Sequence, residues 1–98
     1  MFARVSIFKG NPGEAKESTR IAREKVLPVA REMEGFAGFL ILADDTTGKS
    51  MGITLWQTEG ALRASEEKAN AIRSGVADDA GDEIVGVERY EVTLDERA

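Results

Sequence analysis

FAGFLILADDTTGKSMGITLWQ, residues 36 to 57, reads as two strands joined by a polar turn. The first run, FAGFLILA at 36 to 43, is aromatic and aliphatic, and DDTTGKS supplies the Asp, Thr and Gly residues that reverse a chain. The second run, MGITLWQ, contains the single Trp of the sequence. Together they predict an antiparallel hairpin. An antiparallel sheet with one wet face alternates apolar and polar residues. Here Phe36, Gly38, Leu40 and Leu42 are as apolar as Ala37, Phe39, Ile41 and Ala43. In the second run Met51, Ile53 and Leu55 fall on one side and Gly52, Thr54 and Trp56 on the other. Both faces of this hairpin therefore need cover.

Upstream, FARVSIF at 2 to 8 is a β-branched and aromatic run that stops at Lys9-Gly10-Asn11-Pro12-Gly13. Asn11 as cap, Pro12 in the first turn and Glu14 in a capping box predict a helix starting near Pro12. Its apolar face, Ala15, Ala22, Val26, Val29, Ala30 and Met33, keeps a helical period as far as Gly35, which can terminate it. Pro28 lies inside that face and predicts a kink or break, because an interior proline costs roughly 3 kcal/mol. Downstream, Thr58 offers a cap for a second helix with Leu62, Ser65, Ala69, Ile72 and Val76 on one face, ending near Gly75. Glu59, Arg63 and Glu67 repeat at helical spacing on its exposed side. An acidic loop with Asp78, Asp79, Asp82 and Glu83 leads to a last strand, IVGVERYEVTL at 84 to 94.

The order is β-α-β-β-α-β over residues 1–98, read as one α+β domain. It predicts a ferredoxin-like fold, a four-stranded antiparallel sheet with two helices on one face. The helices cover only one side of a sheet whose central hairpin is apolar on both. Exposure of the other side would forfeit roughly 1.5 to 3 kcal/mol for each large side chain. A second copy pressed sheet to sheet about a two-fold axis would bury roughly 2,000 Å² or more, so the expected assembly is a homodimer forming an α/β barrel.

Composition removes whole classes of chemistry. The chain has no Cys and no His, which excludes disulfides, zinc clusters, thiol nucleophiles, Ser-His pairs and imidazole-ligated haem. With 13 Lys plus Arg against 18 Asp plus Glu, the net charge of −5 disfavours nucleic acid as a partner. The longest apolar run, GFAGFLILA at 35 to 43, is too short to span a bilayer, and the N-terminus lacks a secretory layout, so no membrane partner and a cytoplasmic location are expected. GKS at 48 to 50 lacks the leading Gly of a phosphate loop, since Ala43 stands there, and it joins two strands. DDAGDE breaks the alternating ligand spacing of a calcium loop at Ala80, and no metal site is expected.

FARVSIFKG, EKVLPVAREMEGFAGFLIL, ITLWQTEGAL and VERYEV together resemble the dimeric α/β-barrel superfamily, and within it the antibiotic biosynthesis monooxygenase-like domains. The resemblance covers nearly the whole chain, and ITLWQTEGAL carries most of it. It implies a fold shared by haem degraders and by cofactor-free oxygenases of phenolic substrates, among other activities. The haem-degrading branch uses an Asn on the first strand, a Trp on the second helix and a His at that helix's end. Those places fall at or near Ala3, Ser65 and Gly75. In the oxygenase branch, the strand Trp matches Trp56, while its Asn and Tyr fall at Gly52 and Leu62. Neither catalytic set is present, no cofactor is implied, and no catalytic residue is assigned.

Trp56 either stacks on an aromatic ligand or closes the end of the core. Ala3, Gly38, Gly52 and Thr54 are small beside their strand neighbours and would leave space near it. The expected ligand-binding set is therefore Trp56, Phe39, Thr54 and the Ala3-Val5-Ile7 face, although the sequence does not fix which parity of a strand faces the helices. Arg89 and Tyr90 either serve a bound phenolate or stand at a solvated edge or dimer rim. Two functions are open: a dimer binding a small apolar or aromatic molecule between sheet and helices, acting as a cofactor-free monooxygenase-like enzyme, or a non-catalytic dimeric module with a filled core.

Overall fold

The computed structural model describes residues 1–98. Strands β1 (Phe2–Lys9), β2 (Phe36–Asp44), β3 (Lys49–Trp56) and β4 (Glu83–Glu91) form one antiparallel sheet in the order β2-β3-β1-β4. Helical segments α1 (Ala15–Lys25), α2 (Leu27–Arg31), α3 (Glu59–Ala64) and α4 (Glu66–Ala80) occupy the two crossovers. The ferredoxin-like βαββαβ arrangement expected from sequence is thus observed, with each of the two helices divided in two.

The divisions have local causes. Between α1 and α2, Val26 serves as the last cap of one and the first of the other, and Pro28 sits in the opening turn of α2, where its missing N–H wastes no bond. Between α3 and α4, the Ser65 hydroxyl donates to the Leu62 carbonyl at 2.7 Å, a back-bond that competes with helix geometry. The start of α3 is capped as expected, with the Thr58 hydroxyl accepting from the Ala61 N–H at 3.0 Å.

Other boundaries moved. The first helix begins at Ala15, not near Pro12, because Gly13 turns the chain with φ +87° and the cap comes from elsewhere. Asp45, in the distant β2–β3 turn, accepts the Ala15 N–H at 2.9 Å, a role the sequence suggested for Asn11. The last helix continues through Gly75 to Ala80 and stops at Gly81, φ +70°, with the Asp82 N–H returning to the Ala77 carbonyl at 2.8 Å. Asp78 and Asp79 are therefore helical, and Asp79 meets Lys25 of α1 at 2.5 Å. Strand β4 ends at Glu91 rather than 94. The Gly-Lys-Ser segment spans the end of the hairpin turn and the start of β3: Gly48 closes the turn with φ +82°, Lys49 and Ser50 open the strand, and the Asp44 carboxylate accepts the Thr46 N–H at 3.0 Å.

Register decides which residues face the helices. Arg4 pairs with Thr54 and Ser6 with Gly52 across β1–β3, and Thr54 and Gly52 pair with Phe39 and Ile41 of β2. Opposed residues share a face, and this one lies under α1, α2 and α4, beside residues such as Ala22, Ala30 and Ile72. The other parity, Ala3 with Leu55, Val5 with Ile53, Ile7 with Met51 and Leu40 with Ile53, points away from the helices. On the single chain Leu40 and Leu42 remain 48% and 51% exposed. The apolar parity of β1 is thus the outer one, and its polar parity is turned inward. No helix is long and apolar enough to cross a membrane.

Candidate functional site

Between the sheet and the helices lies a cavity of about 80 Å³, several times the ~10–15 Å³ that one water requires. Its floor is Arg4, Ser6, Phe39, Gly52, Thr54 and Trp56, and Ala22, Ala30, Ala69, Ile72 and Arg73 cover it from the helices, with Met33 from the bend after α2. The space arises where Gly52 and three alanines place no bulk between two layers held apart by larger neighbours.

Of the residues expected to line it, Trp56, Phe39 and Thr54 do so. Ala3, Val5 and Ile7 do not. Antiparallel pairing sets them opposite Leu55, Ile53 and Met51 on the outer face, and Arg4, Ser6 and Phe8 take their place. Arg89 and Tyr90 are likewise separated, as neighbours on a strand must be. Arg89 shares the inner face with Arg4, whereas Tyr90, opposite Ala3, lies on the outer face 55% exposed and donates to Glu88 at 3.0 Å.

Trp56 is 1% exposed. Its indole N–H donates to the Thr54 hydroxyl at 3.0 Å, and its ring meets Phe36 edge-on at 5.8 Å between centroids. It is packed as a core residue and also presents a wall to the cavity.

The polar side of the site is a guanidinium cluster. Arg4 donates through Nη2 to the Leu62 carbonyl at 2.8 Å and the Ser65 hydroxyl at 2.9 Å, and pairs with Glu66 at 2.7 Å. Glu66 also holds Arg89. Burial pulls the Arg4 pKa below its ordinary value, against the opposing pull of Glu66. Burial pushes Glu66 the other way, but Arg89 and Arg4 outweigh it and keep its carboxyl below the usual range. Arg73 of α4 donates through Nε to the Ser6 hydroxyl at 3.0 Å and through Nη1 to Asn70 at 2.7 Å. Its pKa is lowered by burial first, and then by the nearby Arg4 charge.

Arg4, Ser6 and Arg73 were missed by sequence reasoning. The available signal was the polar parity Arg4-Ser6 inside an otherwise apolar strand, which alternation alone assigns to solvent. At the places where the resemblance locates catalytic groups, the Ser65 hydroxyl is occupied by Arg4, Gly52 lines the cavity, Leu62 is buried, and nothing approaches within 4 Å of where a Gly75 side chain would start. No carboxylate lines the cavity, and no cluster of acidic residues is arranged to hold a metal.

No protein-family model matches the chain. Among curated proteins, it is 31% identical over 70 residues to the uncharacterised protein Rv2557 of Mycobacterium tuberculosis, a match that covers 71% of this chain and 31% of that protein. It is 29% identical over 77 residues to the uncharacterised protein Rv2558 of the same organism, covering 79% of this chain and 33% of that one. The chain thus spans about a third of the length of these relatives. Among solved structures, the heme-degrader MhuD of Mycobacterium tuberculosis, with two hemes bound in its active site, superposes with a TM-score of 0.75 at 19% identity, covering 99% of this chain and 100% of that one. SnoaB, a cofactor-independent oxygenase from Streptomyces nogalater, gives 0.71 at 13% identity, covering 96% and 94%. The ActVA-Orf6 monooxygenase of Streptomyces coelicolor, in complex with nanaomycin D, gives 0.70 at 18% identity, covering 99% and 89%.

Proposed function

We propose, from the fold this chain shares with antibiotic biosynthesis monooxygenase-like structures, that it belongs to the dimeric α/β-barrel superfamily and that residues 1–98 form one domain of a cytoplasmic homodimer that binds a small apolar or aromatic molecule between sheet and helices. The observation that carries the proposal is the cavity beside Trp56. Pockets of this kind, mostly apolar with a few convergent polar groups, are the usual sites for small ligands. Two structures with this fold hold such molecules, hemes in one and nanaomycin D in the other. The reaction that fits is oxidation of a phenol- or quinol-type ring by dioxygen without a bound cofactor. The residues for it are Trp56 and Phe39 as ring contacts, with the Arg73 and Arg4 guanidiniums favouring an ionised oxygen. The proton of the phenol would leave to water, since no base lines the cavity.

The dimer is supported by the outer sheet face, where Leu40, Leu42, Val5, Ile7, Ile53 and Met51 form a continuous apolar surface. Only 12 of 98 residues are buried in one chain, leaving the core on this side unfinished.

Native mass spectrometry with 2-naphthol tests both parts. A species at twice 10.6 kDa, taking up one 2-naphthol per subunit, is expected. A dimer that takes up none would support the filled-core module instead, and a monomer would remove the dimer. Single-turnover oxidation of 1,4-dihydroxynaphthalene under dioxygen, faster than the uncatalysed rate and weakened by Trp56→Ala, is the expected sign of an enzyme.

A further inference from the structure

Arg73 is 9% exposed and forms no ion pair, whereas Arg4, the other buried cation, pairs with Glu66. Ser6 and Asn70 hold two of its nitrogens, and both partners are neutral. Nη2 has no hydrogen-bond partner, and the residue lines the cavity. Around it the charges do not balance: Arg4 and Arg89 compete for one carboxylate, Glu66, so three guanidiniums face a single anion. A buried charge without a partner is disfavoured unless something supplies one, and a chain of net charge −5 has concentrated its inner positive charge at this cavity.

We infer that the cavity is built for a small aromatic monoanion whose charge sits on a planar oxyanion, a carboxylate above all, bound end-on by Arg73. The inference rests on the reading that the cavity takes a ligand, and names its chemical class. The geometry fits. With Nε turned to Ser6 and one Nη1 hydrogen to Asn70, the free edge of the guanidinium is its end, where Nη1 and Nη2 present two parallel N–H groups. Two parallel donors match the two oxygens of a carboxylate. Ser6 and Asn70 then act as positioning residues that fix the orientation of that fork. The remaining walls, Trp56, Phe39, Ile41 and Ile72, are apolar and suit a ring. No carboxylate lines the cavity to repel the ligand or neutralise Arg73.

The single Trp gives one indole N–H resonance, a reporter for the cavity wall. The full protein is titrated with 2-naphthoate and with 2-naphthamide, which has the same ring and shape but no charge. In the native protein, 2-naphthoate is expected to bind at least about tenfold more tightly. In Arg73→Gln that preference disappears, because 2-naphthoate loses at least about tenfold more affinity than 2-naphthamide does. Arg73→Lys, which keeps the charge and guards against misfolding of the glutamine variant, retains a preference for 2-naphthoate. Equal affinity for the two probes in the native protein, or a preference unchanged in Arg73→Gln, overturns the inference and leaves the cavity reading standing. If neither probe shifts the indole resonance, the cavity reading falls and this inference with it.

Discussion

The guanidinium carbon of Arg4 stands 5.8 Å from the centroid of the Trp56 ring, so the most buried charge in the protein lies over its most buried aromatic. Such a cation–π contact contributes roughly 0.5 to 2 kcal/mol, and it ties the ion-pair network on α4 to the wall of the cavity. Glu66 is the counter-charge that makes this arrangement tolerable.

Removing that counter-charge should be the costly step. Glu66→Gln is expected to destabilise the protein by about 2 to 3 kcal/mol in urea melts, below the ~3 to 5 for a fully buried pair. The discount follows because Glu66 is 28% exposed and Arg4 keeps its bonds to Leu62 and Ser65. The double variant Arg4→Met with Glu66→Leu, which removes both charges, should lose less than the single one. The pH dependence has a definite sign: Glu66 is held below its ordinary pKa. Its stabilisation is therefore complete above the unfolded carboxylate value and is lost as pH falls through the lowered folded value, a loss Glu66→Gln should not show.

Leu42→Glu probes the outer face. On a lone chain this half-exposed position would tolerate the change within roughly 0.5 kcal/mol. In a sheet-to-sheet dimer a charge enters an apolar interface, and dissociation should strengthen by about tenfold or more in sedimentation equilibrium. A native protein sedimenting as a stable folded species near 10.6 kDa at micromolar concentration would remove the dimer altogether.

Asp82 titrates in the opposite sense from Glu66. Burial and then the Glu14 charge raise its pKa, so its ionised form is less favourable folded than unfolded. The cost is absent below the unfolded value and is complete above the raised folded one. Asp82→Asn should therefore raise the Tm at pH 7, and the gain should vanish near pH 3.

Gly35 precedes β2 with φ +80°, and a Cβ there would lie 2.5 Å from that of Ala61 on α3. Gly35→Ala combines backbone strain with a clash between elements, and a loss of about 2 kcal/mol or more is expected in thermal melts. Gly52→Ala, whose added methyl would stay 3.7 Å from Ile41, should leave the Tm nearly unchanged and serves as the control.

The hairpin at 36 to 57 was legible because two apolar runs flank a turn whose residue types have few other uses. Thr58 as a helix cap and the break near Pro28 were legible for the same reason, since each depends on atoms within a few residues. The start of the first helix was not, because its cap, Asp45, lies 30 residues away. The polar half of the site was hidden by a similar separation, with Arg73 reaching Ser6 across 67 positions and Arg4 reaching Ser65 across 61.

Sequence alone determined that β1 has one apolar and one mixed parity and that the central hairpin is apolar on both sides, since a strand's period of two follows from covalent geometry. Which parity turns toward the helices was decided only by the tertiary structure. Antiparallel register locks Arg4 and Ser6 to the parity of Thr54, Gly52 and Phe39, and the crossover helices cover that side. Alternation carries no information about where those helices lie, so Arg4 and Ser6, a parity that alternation alone assigns to solvent, form the polar floor of a cavity.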